Sequence, residues 1–408
     1  VLLGSSLAST RLLYHNRRFL NDFSDYIDSY KQPGRALYLT DTLRDKNGVS
    51  SSLSGKLKEI QRADLPVDFL ICHADAAAEA HLHVVRPLTS FSVADFGEQE
   101  FRMPDFMQVA RIFYEGGYDR IICSTEGPMA LLSLFIKHMF NVPAYFFMHT
   151  DWIDFIKDNT DLTQHERDRI RRFLRFFYRQ YNGVFVLNNE HRDWLTGHQM
   201  QLDAASVFLT AHHTQPRDAE IQAIRKSELF AGATDDTPVL LYAGRISREK
   251  GLFDFPAIIS RLRQSMPDVQ LVIAGVGPAE ADLKKVLPDA LFLGWVDKTR
   301  MQSLYAGLDM FVFPSRFDTF GNVVLEAFTY GMPVIAYNCK GPKDIIEHGR
   351  NGYLVEDVEA MSAQITGFFE DADHRHSMQE QAIQRSYDYQ AEPIMHQFLL
   401  DMGLKHSA

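Results

Sequence analysis

Two carboxylates, Asp318 and Glu326, flank a tight turn in the stretch Ser315-Arg316-Phe317-Asp318-Thr319-Phe320-Gly321-Asn322-Val323-Val324-Leu325-Glu326-Ala327, which Gly331-Met332-Pro333-Val334-Ile335 closes. Phe311, Val312 and Phe313 end an apolar run with the character of a buried strand, Pro314 to Asp318 form a loop, and Asn322 to Tyr330 has helical spacing before Gly331 stops it. A helix that starts just after Gly321 offers free backbone N–H groups and the positive end of its dipole to an anion, and glycine lets a phosphate approach the main chain. Side-chain carboxylates so near a phosphate would repel it. Asp318 and Glu326 are therefore expected to point at neutral hydroxyls, a chemistry suited to gripping a sugar nucleotide. Taken alone, the same residues also describe an acidic loop and an ordinary Glu at a helix start.

A second segment adds the missing charge. Val239-Leu240-Leu241-Tyr242-Ala243 reads as a short apolar strand, followed by Gly244-Arg245-Ile246-Ser247-Arg248-Glu249-Lys250-Gly251. Arg245 and Lys250 are fixed cations beside glycines, suited to neutralising a diphosphate and its departure as a leaving group. A solvated basic loop explains any single Lys or Arg, but less readily this pair after a strand in the same half of the chain.

These segments, with Ile273-Ala274-Gly275-Val276-Gly277-Pro278, Phe292-Leu293-Gly294-Trp295-Val296 and Phe313-Pro314-Ser315, form an ordered set that resembles the retaining family 4 glycosyltransferases (glycosyl transferases group 1) of GT-B architecture. The resemblance covers most of residues 239–357. It departs from the family in one place: Asp318, seven residues, Glu326 stands where the family has Glu, seven residues, Glu, so the first carboxylate is shorter by one methylene. The first half is similar more loosely. Ala36-Leu37-Tyr38-Leu39-Thr40 reads as a strand, and Asp41 to Ser50 resembles the family's glycine loop, with Asn47 and Gly48 where many members have two glycines; Asn tolerates a left-handed conformation. Tyr145-Phe146-Phe147-Met148 reads as a strand that delivers His149-Thr150-Asp151 to its end. A lone His there is more often structural, but the segment resembles the His-Thr-Asp of the sulfoquinovosyl-diacylglycerol synthase and glycolipid-mannosyltransferase branch, in which the His reaches the donor sugar.

The resemblance implies transfer of a sugar from a nucleoside diphosphate sugar to an acceptor hydroxyl on a lipid or glycan, with retention of configuration by front-face attack that needs no enzyme nucleophile. It assigns Arg245 and Lys250 to the diphosphate, Glu326 to ribose, Asp318 and His149 to the donor sugar, and Gly48 to the approach of acceptor and phosphate. Gly277, Phe320, Gly321, Asn322 and Val323 are further donor contacts, and Trp295 and Val296 edge the base. No cofactor or metal is expected, because the cations replace a metal and no Asp-x-Asp stands at a plausible donor site. Other readings stay open: a GT-B epimerase or sugar-phosphate synthase shares the diphosphate grip, and a silent partner would bind nucleotide without turnover.

These residues need elements to position them. Alternating strands and helices predict an α/β chain with two doubly wound parallel, Rossmann-like sheets facing a cleft. The first set of strands lies near 36–40, 68–72, 82–85, 120–123, 144–148 and 184–187, the second near 239–243, 270–274, 290–293, 310–313 and 333–336. Helical extra structure is expected over 1–33, a first domain over 34–220, a second over 221–387, and a terminal helix over 388–408 that by resemblance crosses back to the first. Ligands in such sheets bind beyond the carboxyl ends of the strands, where the glycine loop, His149, Arg245 and Asp318 all fall.

The 408 residues exceed one core and suit two domains. Hydrophobic content of 46% with 23% charged residues describes a globular chain, and no apolar run reaches the roughly 18 residues of a bilayer span. Cys72, Cys123 and Cys339 are far apart and lack metal-type spacing, which suits a reducing cytoplasm. A net charge of −11 argues against nucleic acid as a partner. The segment 169–181 is expected to place Arg171, Arg172, Arg175 and Arg179 on one helical side, able to meet anionic headgroups at the inner face of a membrane, and Ile170, Phe173, Leu174, Phe177 and Tyr181 on a packed side. His212-His213 lacks a third ligand at suitable spacing for a metal.

Overall fold

The computed structural model describes residues 8–12, 34–45, 48–92, 100–158 and 161–404, which divide into two compact units, one ending at Thr210 and resuming at Ile394, the other running from Ala211 to Pro393. The sequence reading put these divisions at 220 and 387. The expected extension over 1–33 lies outside the described residues except for a helical turn at 8–12, as do Lys46 and Asn47 of the glycine loop and residues 405–408 of the terminal segment.

In the first unit, the described strands are β1 (Ala36–Leu39), β2 (Val67–Cys72), β3 (Leu82–Val85), β4 (Pro87–Ser92), β5 (Glu100–Pro104), β6 (Arg120–Cys123), β7 (Ala144–Phe147), β8 (Gly183–Val186) and β9 (Val207–Leu209). Seven of them form a parallel sheet in the order β3-β2-β1-β6-β7-β8-β9. All residues of β1, β2 and β8 are buried, as strands covered on both faces must be, and this explains their mainly apolar runs, which Asp68 alone interrupts in β2. The chain starts at β1, winds out to β3, then returns to the other side of β1 as β6, so the sheet has a switch point between β1 and β6. The short β9 and the antiparallel hairpin β4-β5 were not expected, and the hairpin breaks the anticipated alternation of strand and helix.

The second unit repeats the logic with β10 (Val239–Ala243), β11 (Gln270–Ala274), β12 (Leu291–Gly294), β13 (Met310–Phe313), β14 (Val334–Tyr337) and β15 (Gly352–Val355), the last unforeseen. Their order is β12-β11-β10-β13-β14-β15, all parallel, with the switch point between β10 and β13. Leu240, Tyr242, Phe255, Ile273, Val312 and Ile335 anchor one buried cluster against its helices.

The terminal helix Ala391–Asp401 returns to the first unit from Ile394 onward. Phe398 packs on Phe185 and Phe147, with ring centroids 4.8 Å and 6.1 Å away, and the Arg120 guanidinium donates to the Met402 carbonyl.

The basic helix Gln164–Tyr178 corrects one expectation. Leu174, Phe177 and Tyr178 are buried, but Phe173 stands 61% exposed. Arg171 is drawn into an ion pair with Asp168 at 2.5 Å, so it is not part of an open cationic side. The expected faces were rotated because the apolar arc runs through positions 174, 177, 178 and 181, and Phe173 falls just outside it.

Candidate active site

At the switch point of the second sheet, two loops meet. The loop after β10 carries Arg245 and Lys250, and the loop after β13 carries Asp318 and leads to the helix Asn322–Thr329. Gly251, at φ +71°, lets the first loop rest on the second: a Cβ there would fall 2.0 Å from the Pro314 carbonyl oxygen. This contact aims Lys250 across the switch point, where its Nζ lies 3.0 Å from Asp318 Oδ2. Sequence reasoning treated the two as separate contacts, one for phosphate and one for sugar. The structure makes them a pair, so the carboxylate that would repel a diphosphate is already neutralised. Arg245 is exposed on the same loop, and its carbonyl accepts the Tyr242 hydroxyl at 3.0 Å.

The second loop is held at several points. Asp318 Oδ1 accepts the Phe320 backbone N–H at 3.2 Å, Ser315 Oγ donates to the Phe317 carbonyl at 2.9 Å, and Cys339 Sγ donates to the Ser315 carbonyl at 3.4 Å. Burial pushes the Cys339 thiol up to about 12, so it stays protonated and is no nucleophile. Gly321 caps the helix in a left-handed conformation with no side-chain cap, and the Val324 N–H donates to its carbonyl at 2.9 Å, so the positive end of the helix dipole falls at this loop. Asn322 and Val323 are half-buried at that end, and Phe320 is buried beneath it.

Glu326 lies one turn along, exposed, with the Tyr305 hydroxyl donating to its Oε2 at 3.1 Å. Trp295 follows β12 and is 76% exposed, beside the half-buried Val296. At Gly277 a Cβ would fall 2.2 Å from the Ile246 carbonyl oxygen, so its small size serves the close packing of two loops.

A residue that the sequence offered only as half of a metal site supports this constellation. His212 Nδ1 lies 2.8 Å from Asn322 Oδ1, and its ring packs edge-on against Phe320 at 4.9 Å. The His212-His213 pair thus has a positioning contact that no spacing rule would reveal. Among the described residues, no group of three His, Cys, Asp or Glu side chains is arranged to hold a metal ion.

The first unit gathers its polar residues at the same place relative to its own switch point. Asp41, after β1, accepts the Thr125 hydroxyl from the loop after β6 at 2.8 Å, and burial lifts its carboxyl to about 6. Gly48 opens the helix Gly48–Ala63 and is exposed, with open space where a Cβ would go. His149 stacks on Phe147 with centroids 4.5 Å apart, which fixes the ring at the end of β7. Its neighbours have structural partners: Thr150 Oγ1 donates to Glu126 at 3.1 Å, and Asp151 accepts the Asp154 backbone N–H at 3.0 Å while lying 3.5 Å from His191. Glu126, missed in the sequence, also takes Trp152 Nε1 at 2.9 Å and the Tyr178 hydroxyl at 3.0 Å. Burial raises its carboxyl and these donors offset the rise.

Two doubly wound sheets of this order, each with polar loops at the carboxyl side of its switch point, define a GT-B protein. The backbone is similar to Anabaena HepE in complex with UDP, with a TM-score of 0.69 at 17% identity over 90% of this chain and 99% of that one. It is equally similar to sucrose-phosphate synthase from Thermosynechococcus elongatus, with a TM-score of 0.69 at 18% identity over 89% and 97% of the two chains. Residues 224–385, within the second unit, match the model of the Glycosyl transferases group 1 family. In sequence it is 28% identical over 271 residues to alpha-D-kanosaminyltransferase of Streptomyces kanamyceticus, a stretch covering 64% of this chain and 70% of the relative. It is 36% identical over 137 residues to the GDP-mannose-dependent alpha-mannosyltransferase of Corynebacterium glutamicum, covering 34% of this chain but only 31% of that protein.

Proposed function

We propose that the protein is a metal-independent, retaining family 4 glycosyltransferase that moves a hexosyl group from a nucleoside diphosphate sugar to an acceptor hydroxyl on a lipid or glycan. The observation that carries this reading is the Lys250–Asp318 pair at 3.0 Å beside the uncapped helix start at Gly321, inside the segment matched to the family. Arg245, Lys250 and the first N–H groups after Gly321 take the diphosphate, Glu326 takes ribose hydroxyls, and Trp295 with Val296 edges the base. Asp318 and, from the first unit, His149 orient the donor sugar, while Gly48 leaves room for the acceptor.

Transfer breaks the bond from the anomeric carbon to the diphosphate oxygen and forms one to the acceptor oxygen. The acceptor proton passes to the departing phosphate oxygen, so no side chain need act as base or nucleophile. Arg245 and Lys250 stabilise the negative charge that grows on the leaving group. Relatives named for mannosyl, kanosaminyl and sulfoquinovosyl transfer support the sugar-transfer reading. A sugar-phosphate synthase is the second reading, since one such enzyme shares the backbone.

A thermal-shift panel of UDP, GDP, ADP and their sugars, followed by product analysis with sugar phosphates, glycolipid and glycan acceptors, tests it. A raised melting temperature with one diphosphate series and a new glycosidic product in excess EDTA is expected. Nucleotide binding without any product, or activity abolished by EDTA and restored by magnesium or manganese, overturns it.

A further inference from the structure

The helix Gln164–Tyr178 presents an outward stripe that transfer chemistry does not use. At about 100° per residue, His165, Arg169, Arg172, Phe173 and Phe176 follow one another at intervals of four, three, one and three, and so share one side of the helix. All five are exposed, Phe173 at 61% and Phe176 at 65%. Leu174, Phe177 and Tyr178 are buried on the opposite side, and although Phe173 stacks on Phe177 with centroids 6.2 Å apart, it and Phe176 stay mostly exposed.

Two further arginines of the helix are occupied elsewhere. Arg171 pairs with Asp168, and Arg175 donates to the Gln201 side chain. The acid nearest the stripe, Glu166, is taken up in the capping box with Thr163. The exposed side thus combines apolar rings with positive charge and little opposing negative charge.

We infer that this stripe lies on an anionic phospholipid surface. A convex helical side enclosed by no groove cannot surround a small ligand, but a deformable bilayer boundary can receive it. Rings enter the acyl region while arginines remain among phosphate headgroups, which meets both chemistries at once. The charge complementarity is local, since the whole chain carries −11.

Co-sedimentation of the full chain with phosphatidylcholine vesicles, with and without phosphatidylglycerol, tests this without reference to turnover, so its failure leaves the transfer reading untouched. Wild-type protein should bind phosphatidylglycerol vesicles and be released by added salt. The double substitution Phe173→Ser/Phe176→Ser should weaken partition by about tenfold or more, from the loss of two buried rings. Arg169→Gln/Arg172→Gln should remove the preference for phosphatidylglycerol. Leu88→Ser, at the 70% exposed Leu88 of the β4-β5 hairpin, should bind like wild type. Equal binding to neutral and anionic vesicles, no binding to either, undiminished binding of the double serine variant, or an equal loss in Leu88→Ser would each overturn the inference. Circular dichroism melts confirm that these surface variants fold.

Discussion

At the scale of single residues, the pairing of Lys250 with Asp318 changes what each substitution should do. Arg245→Ala removes an exposed cation and should slow transfer by an amount equivalent to about 2–4 kcal/mol of transition-state stabilisation. Lys250→Ala removes a cation and also strips Asp318 of the group that neutralises it, at 3.0 Å. It should therefore weaken nucleoside diphosphate binding more than Arg245→Ala does. Adding Asp318→Asn to Lys250→Ala should restore part of that binding, a coupling of roughly 0.5–3 kcal/mol in a double-mutant cycle. Calorimetric titration of the four proteins measures it, and strict additivity would show that the ion pair does not govern the anion site.

The two carboxylates should separate in the same assay. Glu326→Gln should weaken both free nucleotide and nucleotide sugar, because both contain ribose. Asp318→Asn should impair product formation while free diphosphate still binds, because the free nucleotide has no sugar for residue 318 to hold. Asp318→Glu restores the longer side chain of the family, and a change in donor preference is the expected sign that residue 318 faces the sugar. Equal losses of diphosphate affinity in Asp318→Asn and Glu326→Gln would abolish this division of labour.

At the scale of elements, Arg245, Lys250 and Asp318 were legible because each sits where a strand-like apolar run gives way to a polar, glycine-bearing loop, and Glu326 because it follows that loop by one helical turn. Their mutual contacts were not legible. Nothing in the spacing of Lys250 and Asp318 says that β10 and β13 are neighbours; that follows from the chain reversing its direction across the sheet. The hairpin β4-β5 was missed for a related reason: its strands are short, and the polar Thr89, Ser90 and Ser92 mask the alternation expected of a half-exposed pair. His212 looked like half a metal site in sequence, whereas its ring is used to hold Asn322.

The loop that aims Lys250 gives an element-scale prediction. Gly251→Ala adds a Cβ at a left-handed φ of +71°, 2.0 Å from the Pro314 carbonyl oxygen, so backbone as well as side chain must shift. A loss of at least about 1–3 kcal/mol in denaturant unfolding is expected, with reduced nucleotide affinity because the two loops part. Gly349→Ala, also at φ +77° but with open space around it, should lose only the conformational part and leave affinity intact. Equal effects from the two substitutions would mean that contact with Pro314 does not matter.

At the scale of the whole molecule, a chain with −11 net charge buries Lys56 where no counter-ion among the described residues reaches it. Lys56, on the helix Gly48–Ala63, is 3% exposed, and among the described residues its Nζ has no hydrogen-bond partner. It lies 4.6 Å from the centroid of Phe147 and 3.8 Å from that of Phe398 on the terminal helix, so it sits where that helix returns to the first unit. Burial pulls its pKa down to about 7 from the usual 10.5. The unfolded chain therefore binds more protons than the folded one between about pH 7 and 10.5, and stability should rise with pH across that window as the folded lysine's neutrality ceases to cost anything. The ring faces work in the other direction, returning up to about 2 kcal/mol each to the charged form, but desolvation of the ammonium is the larger effect. Lys56→Met keeps the length and removes the titration. Near pH 7 it should raise stability on the order of 1–3 kcal/mol, and the difference from wild type should shrink toward pH 10.5, where both side chains are neutral. Denaturant unfolding of the two proteins across that range decides the matter. A difference that stays constant with pH would show that packing alone distinguishes them, and a less stable Lys56→Met at pH 7 would show that the two rings hold the charged form after all.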